Sequence, residues 1–149
     1  MREIAAAFSH LNLIVRDMNA TVAFYQRLGL TIQTSPDGAH SSADLPGGMQ
    51  IEWDTAEFAA IWDSSSRGPV AGGSVICFAV SARTEVDDLY ARLIAAGYRG
   101  HQRPYDACWG SRFAIIDDPD GMAVGLMSPQ EDEHKYWPPR QAPSADADG

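Results

Sequence analysis

His10 and Glu52 are the residues of this 149-residue chain best suited to chemistry. An imidazole and a carboxylate can move protons or ligate a divalent metal. Asn12 follows His10 at the two-residue spacing of a strand, so the two share a face. Spacing alone leaves plainer roles open. His10 suits a hydrogen-bonded groove histidine, and Glu52 suits a partnership with Arg112, another base or water. Asp118-Pro119-Asp120-Gly121 offers two carboxylates, but type I turn chemistry accounts for all four residues. Cys77 and Cys108 form neither a CxxC pair nor a metal spacing, and they read as free thiols. Cys77 reads as small filler on a strand face. Aromatic rings are the other resource. Tyr105, Trp109 and Phe113 surround a loop, and Phe58 and Trp62 lie in a connecting segment. Such rings hold planar ligands by stacking and by apolar burial at roughly 25 cal/mol per Å². Phe58 and Trp62 suit a core or an interface equally well.

The elements that would position these residues occur twice. His10–Val15 alternates like a strand and runs into Asp17-Met18-Asn19-Ala20-Thr21, a helix start. Phe24, Tyr25 and Leu28 recur at helical spacing, and Gly29 stops the helix. Sixty-five residues on, Val75–Val80 reads as a strand and Thr84–Leu93 as a helix that stops near Gly97. Strand-like stretches follow in each half: Leu30–Ser35, His40–Leu45 and Met49–Asp54, then Gln102–Cys108, Ser111–Asp117 and Ala123–Met127. The turns Ser35-Pro36-Asp37-Gly38 and Asp118-Pro119-Asp120-Gly121 separate neighbours.

The order β-α-β-β-β, twice, is an α+β arrangement. It predicts a first module over 8–54, a connecting segment over 55–72, a second module over 73–129 and a flexible acidic tail over 130–149. One helical turn is expected over Phe58–Trp62. Tyr136-Trp137-Pro138-Pro139 is an apolar island in the tail that would dock on the body or on a partner subunit.

Alternation divides the strands into faces. Leu11, Leu13 and Val15, Met49, Ile51 and Trp53, and Ile76, Phe78 and Val80 are all apolar and are assigned to the sheet–helix layer. Their alternates are His10, Asn12 and Ile14, Gln50, Glu52 and Asp54, and Val75, Cys77 and Ala79. This second set is small or mixed in polarity, which a helix-packing face would not tolerate. The bare face is therefore expected to be open, as a cavity, a water-filled groove or an interface, and to form a binding cradle. Its candidate ligand-binding residues are His10, Asn12, Glu52, Cys77, Tyr105, Trp109, Phe113, Phe58 and Trp62.

Charge narrows the partners. Eleven Lys and Arg against twenty Asp and Glu give a net charge of −9. That surface repels nucleic acid and anionic membranes and favours an uncharged, aromatic or cationic small molecule. No stretch approaches the ~20 apolar residues that span a bilayer. The N-terminus is too short and too acidic for a signal peptide, so a cytoplasmic location is expected.

His10-Leu-Asn-Leu-Ile-Val-Arg-Asp17, Phe24-Tyr25, Leu28-Gly29 and Phe113-Ala-Ile-Ile-Asp-Asp-Pro-Asp-Gly121 together resemble the vicinal oxygen chelate superfamily. That group holds glyoxalase I, extradiol dioxygenases, and fosfomycin- and bleomycin-resistance proteins. The resemblance implies two βαβββ modules in a curved mixed-sheet cradle with helices outside, and a homodimer. It also implies metal-ligand positions at His10, Glu52, Val75 and Gly125. Val75 and Gly125 carry no donor, so no metal or other cofactor is expected. His10 and Glu52, with His40 or His101 as substitutes, form the alternative. Trp109-Gly110 ahead of a strand and the Asp118–Gly121 turn resemble the metal-free resistance proteins. The function so implied is a binder that sequesters an aromatic antibiotic or hydrophobic metabolite without turnover. The alternative is a metal-dependent lyase, isomerase or dioxygenase using His10 and Glu52.

Overall fold

A computed structural model describes residues 4–5 and 7–144. The chain divides into two compact units, 1–70 and 71–149, each built around a four-stranded mixed sheet with a helix packed on it.

In the first unit the strands are β1 (Leu11–Val15), β2 (Gln33–Thr34), β3 (His40–Asp44) and β4 (Gln50–Thr55), ordered β1-β4-β3-β2. β1 runs parallel to β4, and the remaining pairs are antiparallel. Helix α1 (Met18–Gln26) begins where expected, because the Asp17 carboxylate accepts from the Ala20 amide at 3.1 Å. Its inner stripe is buried: Thr21, Phe24 and Tyr25 are inaccessible to solvent. The Tyr25 ring meets Trp53 of β4 at 4.9 Å between centroids. Trp53, Ile51 and Val15 thus occupy the sheet–helix layer, as alternation predicts. Met49 does not. It lies between β4 and the 3-10 turn Pro46–Gly48 and is half exposed. The connecting segment holds more helix than the single turn expected. Helix α2 (Ala56–Trp62) has seven residues and is capped by the Thr55 hydroxyl, which accepts from the Phe58 amide at 3.2 Å.

The second unit repeats the pattern with β5 (Val75–Ala79), α3 (Arg83–Ala95), β6 (Gly100–Asp106), β7 (Arg112–Asp117) and β8 (Ala123–Met127), ordered β5-β8-β7-β6. Val86 and Leu93 of α3 are buried with Ala114, Ile116, Val124 and Leu126 of the sheet. β6 is an edge strand with two register shifts. Pro104 is tolerated there because its missing N–H removes no central ladder bond.

Residues 130–144, expected as a flexible tail, are instead bonded to the second unit. The Glu131 amide donates to the Gly110 carbonyl and the Tyr136 amide to the Cys108 carbonyl. The Gln102 side-chain amide donates to the Pro143 carbonyl at 2.9 Å. Of the apolar island, Tyr136 docks through its hydroxyl on the Asp106 carbonyl at 2.8 Å, while Trp137 stays 81% exposed. The last part of the predicted tail, 145–149, lies outside the described residues. No helix among the described residues is long and apolar enough to cross a membrane.

Candidate functional site

The face of the first sheet turned away from α1 carries a continuous polar chain. Parallel pairing sets Asn12 beside Glu52, and antiparallel pairing sets His40 beside Asp54. Alternation brings all four to one side. The Glu52 oxygens face two imidazoles, His10 Nε2 and His40 Nε2, each at 3.2 Å. His40 Nδ1 lies 2.5 Å from Asp54 Oδ1, and Asn12 Nδ2 donates to Asp54 Oδ2 at 3.0 Å. Ser9 Oγ lies 2.8 Å from His10 Nδ1 and completes the row. Asp54 is buried, and His10 and His40 open toward solvent. Asn12 Oδ1 is buried with no partner among the described residues. Each carboxylate thus holds an imidazole in a fixed orientation, which is the arrangement that moves protons between groups.

Expected and observed partners differ here. Glu52 pairs with His10 and His40, while Arg112 pairs with Asp87 and Asp106. His40 therefore belongs to this row, whereas His101 is bonded to Asp117 at 2.8 Å in the second unit. Phe58 stands edge-on to His40 at 6.3 Å. Trp62, also in the first unit, is 52% exposed and has no ring partner among the described residues. Asp54 was missed as a site residue although it shares the Glu52 face by alternation. His40 could be assigned to that row only through the β3–β4 register.

The corresponding face of the second sheet is apolar and aromatic. Trp109 stands edge-on to Phe113 at 5.3 Å between centroids, and Tyr105 does so at 6.2 Å. Tyr105 and Phe113 are cross-strand partners, so register brings them together. Cys77 and Gly125 are partners on β5 and β8. A Cβ built on Gly125 would lie 2.8 Å from Cys77 Sγ, 3.2 Å from Phe113 and 3.3 Å from Val75. Burial pushes the Cys77 thiol up, which keeps it protonated and poorly nucleophilic. Burial first, then Tyr136 and Cys108, push the Tyr105 phenol up as well.

Of the chelating positions implied by the resemblance, the two in the second unit do not fit a metal. Val75 and Gly125 offer no donor atom, and a side chain at Gly125 would collide with Cys77. Among the described residues, three donor atoms converge within 4.8 Å at Glu131, Glu133 and His134, on an exposed part of the C-terminal segment.

Residues 7–126 match the model of the Glyoxalase/Bleomycin resistance protein/Dioxygenase superfamily. No curated protein matches the sequence significantly. Among solved structures, a glyoxalase-related enzyme from Fulvimarina pelagi is similar at a TM-score of 0.74 and 19% identity, covering 84% of this chain and 89% of that one. A glyoxalase/bleomycin resistance protein/dioxygenase family enzyme from Burkholderia phytofirmans PsJN is similar at 0.70 and 25% identity, covering 80% and 96%. A lactoylglutathione lyase from Agrobacterium tumefaciens is similar at 0.63 and 22% identity, covering 85% and 96%.

Proposed function

Because the chain belongs to the Glyoxalase/Bleomycin resistance protein/Dioxygenase superfamily, we propose that it is a small-molecule-binding protein of the bleomycin-resistance type. It holds an aromatic or hydrophobic ligand without chemical change. One observation carries this reading. Trp109 and Tyr105 both stand edge-on to Phe113 on the bare face of the second sheet, where the two chelating positions of that half have become Val75 and Gly125. A planar ring can stack there, since edge-on packing leaves aromatic faces available.

The test is calorimetric titration with 9-aminoacridine, a flat cation that suits the acidic surface, and with neutral 1-naphthol. Saturable binding of either, with the compound recovered unchanged, is expected. Trp109→Ala should weaken binding about tenfold, the order of 1.4 kcal/mol that an aromatic contact supplies, and leave the urea midpoint nearly unchanged. Collapse of the fold would place Trp109 in the core and remove the pocket.

The polar row of the first unit favours a second reading: an enzyme of the same superfamily, a lyase, isomerase or dioxygenase, in which His10 and Glu52 act. Supporting it is the fixed chain His10–Glu52–His40–Asp54. Metal analysis separates the two. A stoichiometric divalent ion that is lost in His10→Ala would select the enzyme and overturn the binder.

A further inference from the structure

The C-terminal segment, which lies beyond the superfamily match, forms one side of a pocket on the second unit. Tyr105 and Asp106 of β6 form one wall, and Tyr136, Arg140, Gln141 and Pro143 form the other. They border an open depression of about 280 Å³, just under the roughly 300–1,000 Å³ usual for small-molecule sites and sized for a single-ring ligand. The matched family region ends at residue 126, so four of these six residues belong to this chain's own extension.

The wall is anchored, not draped. Tyr136 is fixed at both ends, its amide on the Cys108 carbonyl and its hydroxyl on the Asp106 carbonyl. Pro143 is held by Gln102, and the Ser144 carbonyl accepts from Arg103 Nε at 2.9 Å. The Arg140 guanidinium lies over the Tyr136 ring, 4.0 Å from its centroid. Stacking fixes the plane of the guanidinium while leaving its N–H edge available. Arg140 has no carboxylate partner among the described residues. The one acid in the pocket, Asp106, is already paired with Arg83 at 2.5 Å and with Arg112 at 3.3 Å.

We propose that this pocket is a second binding site, one that shares Tyr105 with the aromatic face but is set by Arg140, and that it takes a small aromatic carboxylate. The carboxylate pairs edge to edge with Arg140, a geometry in which the guanidinium fork offers two parallel N–H donors. The ring lies against Tyr105, beside the guanidinium that Tyr136 supports. The overall charge of −9 repels anions at long range, so recognition depends on this local fork and is not general anion attraction.

Three isosteric probes test the site by calorimetric titration of the full chain: benzoate, neutral benzamide and cationic benzylammonium. Benzoate is expected to bind saturably, with benzamide and benzylammonium at least tenfold weaker. Arg140→Gln should cost benzoate about tenfold or more, and Arg140→Lys should restore only part, since an ammonium cannot pair edge to edge. Tyr136→Ala should weaken benzoate through the lost platform, with circular dichroism confirming the fold. Arg140 is exposed, so its variants carry the test if Tyr136→Ala unfolds. Trp109→Ala should leave benzoate binding untouched, which separates this site from the face assigned above. Equal binding of benzoate and benzamide, stronger binding of benzylammonium, an unchanged Arg140→Gln variant, or no saturable benzoate binding would each overturn the proposal. Loss of benzoate binding in Trp109→Ala alone would move the ligand to the aromatic face and eliminate this pocket.

Discussion

Replacing Asp54 with Ala would strip two donors of their acceptor at once. His40 Nδ1 and Asn12 Nδ2 both bond to its buried carboxylate, and among the described residues these two atoms have no other hydrogen-bond acceptor. A stranded, partly buried polar group costs about 1–3 kcal/mol. Asp54→Ala should therefore lower the unfolding free energy by about that amount in urea denaturation. An unchanged midpoint would mean that water replaces the carboxylate and that the row is solvated rather than built. Glu52 differs in kind. Its two oxygens face the partly exposed His10 and His40, so Glu52→Gln keeps the shape of the row and removes its charge. At the same scale, the Cys77 residue is exposed, but its thiol sits in the part of the face that is desolvated, which pushes it up and keeps it a poor nucleophile.

At the scale of elements, the C-terminal segment protects an edge. β6 ends the second sheet, and an uncovered edge strand presents unpaired backbone groups to other chains. Residues 131–144 run past β6 and the loop after it, and at Gly110 they leave no room for a side chain. Gly110 has a φ of +99°, and a Cβ there would lie 2.6 Å from the Glu131 carbonyl oxygen. Gly110→Ala meets both a left-handed backbone and a steric clash. A non-glycine residue in strained backbone costs about 1–3 kcal/mol. The variant should lose that stability in urea and show faster amide exchange at Tyr136, whose amide is held by Cys108 in the same loop. Unaltered exchange at Tyr136 would show that the segment is anchored elsewhere. Register shifts in β6 belong to the same economy: they accommodate Pro104 and aim Tyr105 at Phe113.

For the whole molecule, two units of like topology, β1-β4-β3-β2 and β5-β8-β7-β6, carry opposite chemistry on equivalent faces, one polar and one aromatic. Repetition of a fold with divergence of its faces separates architecture from function. We propose, from the resemblance, that the protein pairs as a closed two-fold homodimer. Sedimentation equilibrium at micromolar concentration should return twice the mass of one chain. A single-chain mass would reject the pairing.

The two βαβββ modules, the N-terminus of α1 at Asp17 and the division of most strands into an apolar and a mixed face are legible in the order of residues alone. Local rules govern these features: strand alternation has a period of two, and a helix start needs a side-chain acceptor near its free amides. That His40 joins Glu52, that Arg112 does not, and that Tyr136 and Arg140 wall a pocket follows from the folded chain and not from local pattern. Each of those depends on strand register or on where a distant segment lands, and one residue of register exchanges every side chain between faces. Residues 130–144 show the limit most clearly. Their Pro-, Ala- and Asp-rich composition reads as free chain, yet hydrogen bonds from Gln102, Arg103 and Tyr136 fasten them, because the fold brings β6 side chains within reach of the segment's carbonyls, which composition does not reveal.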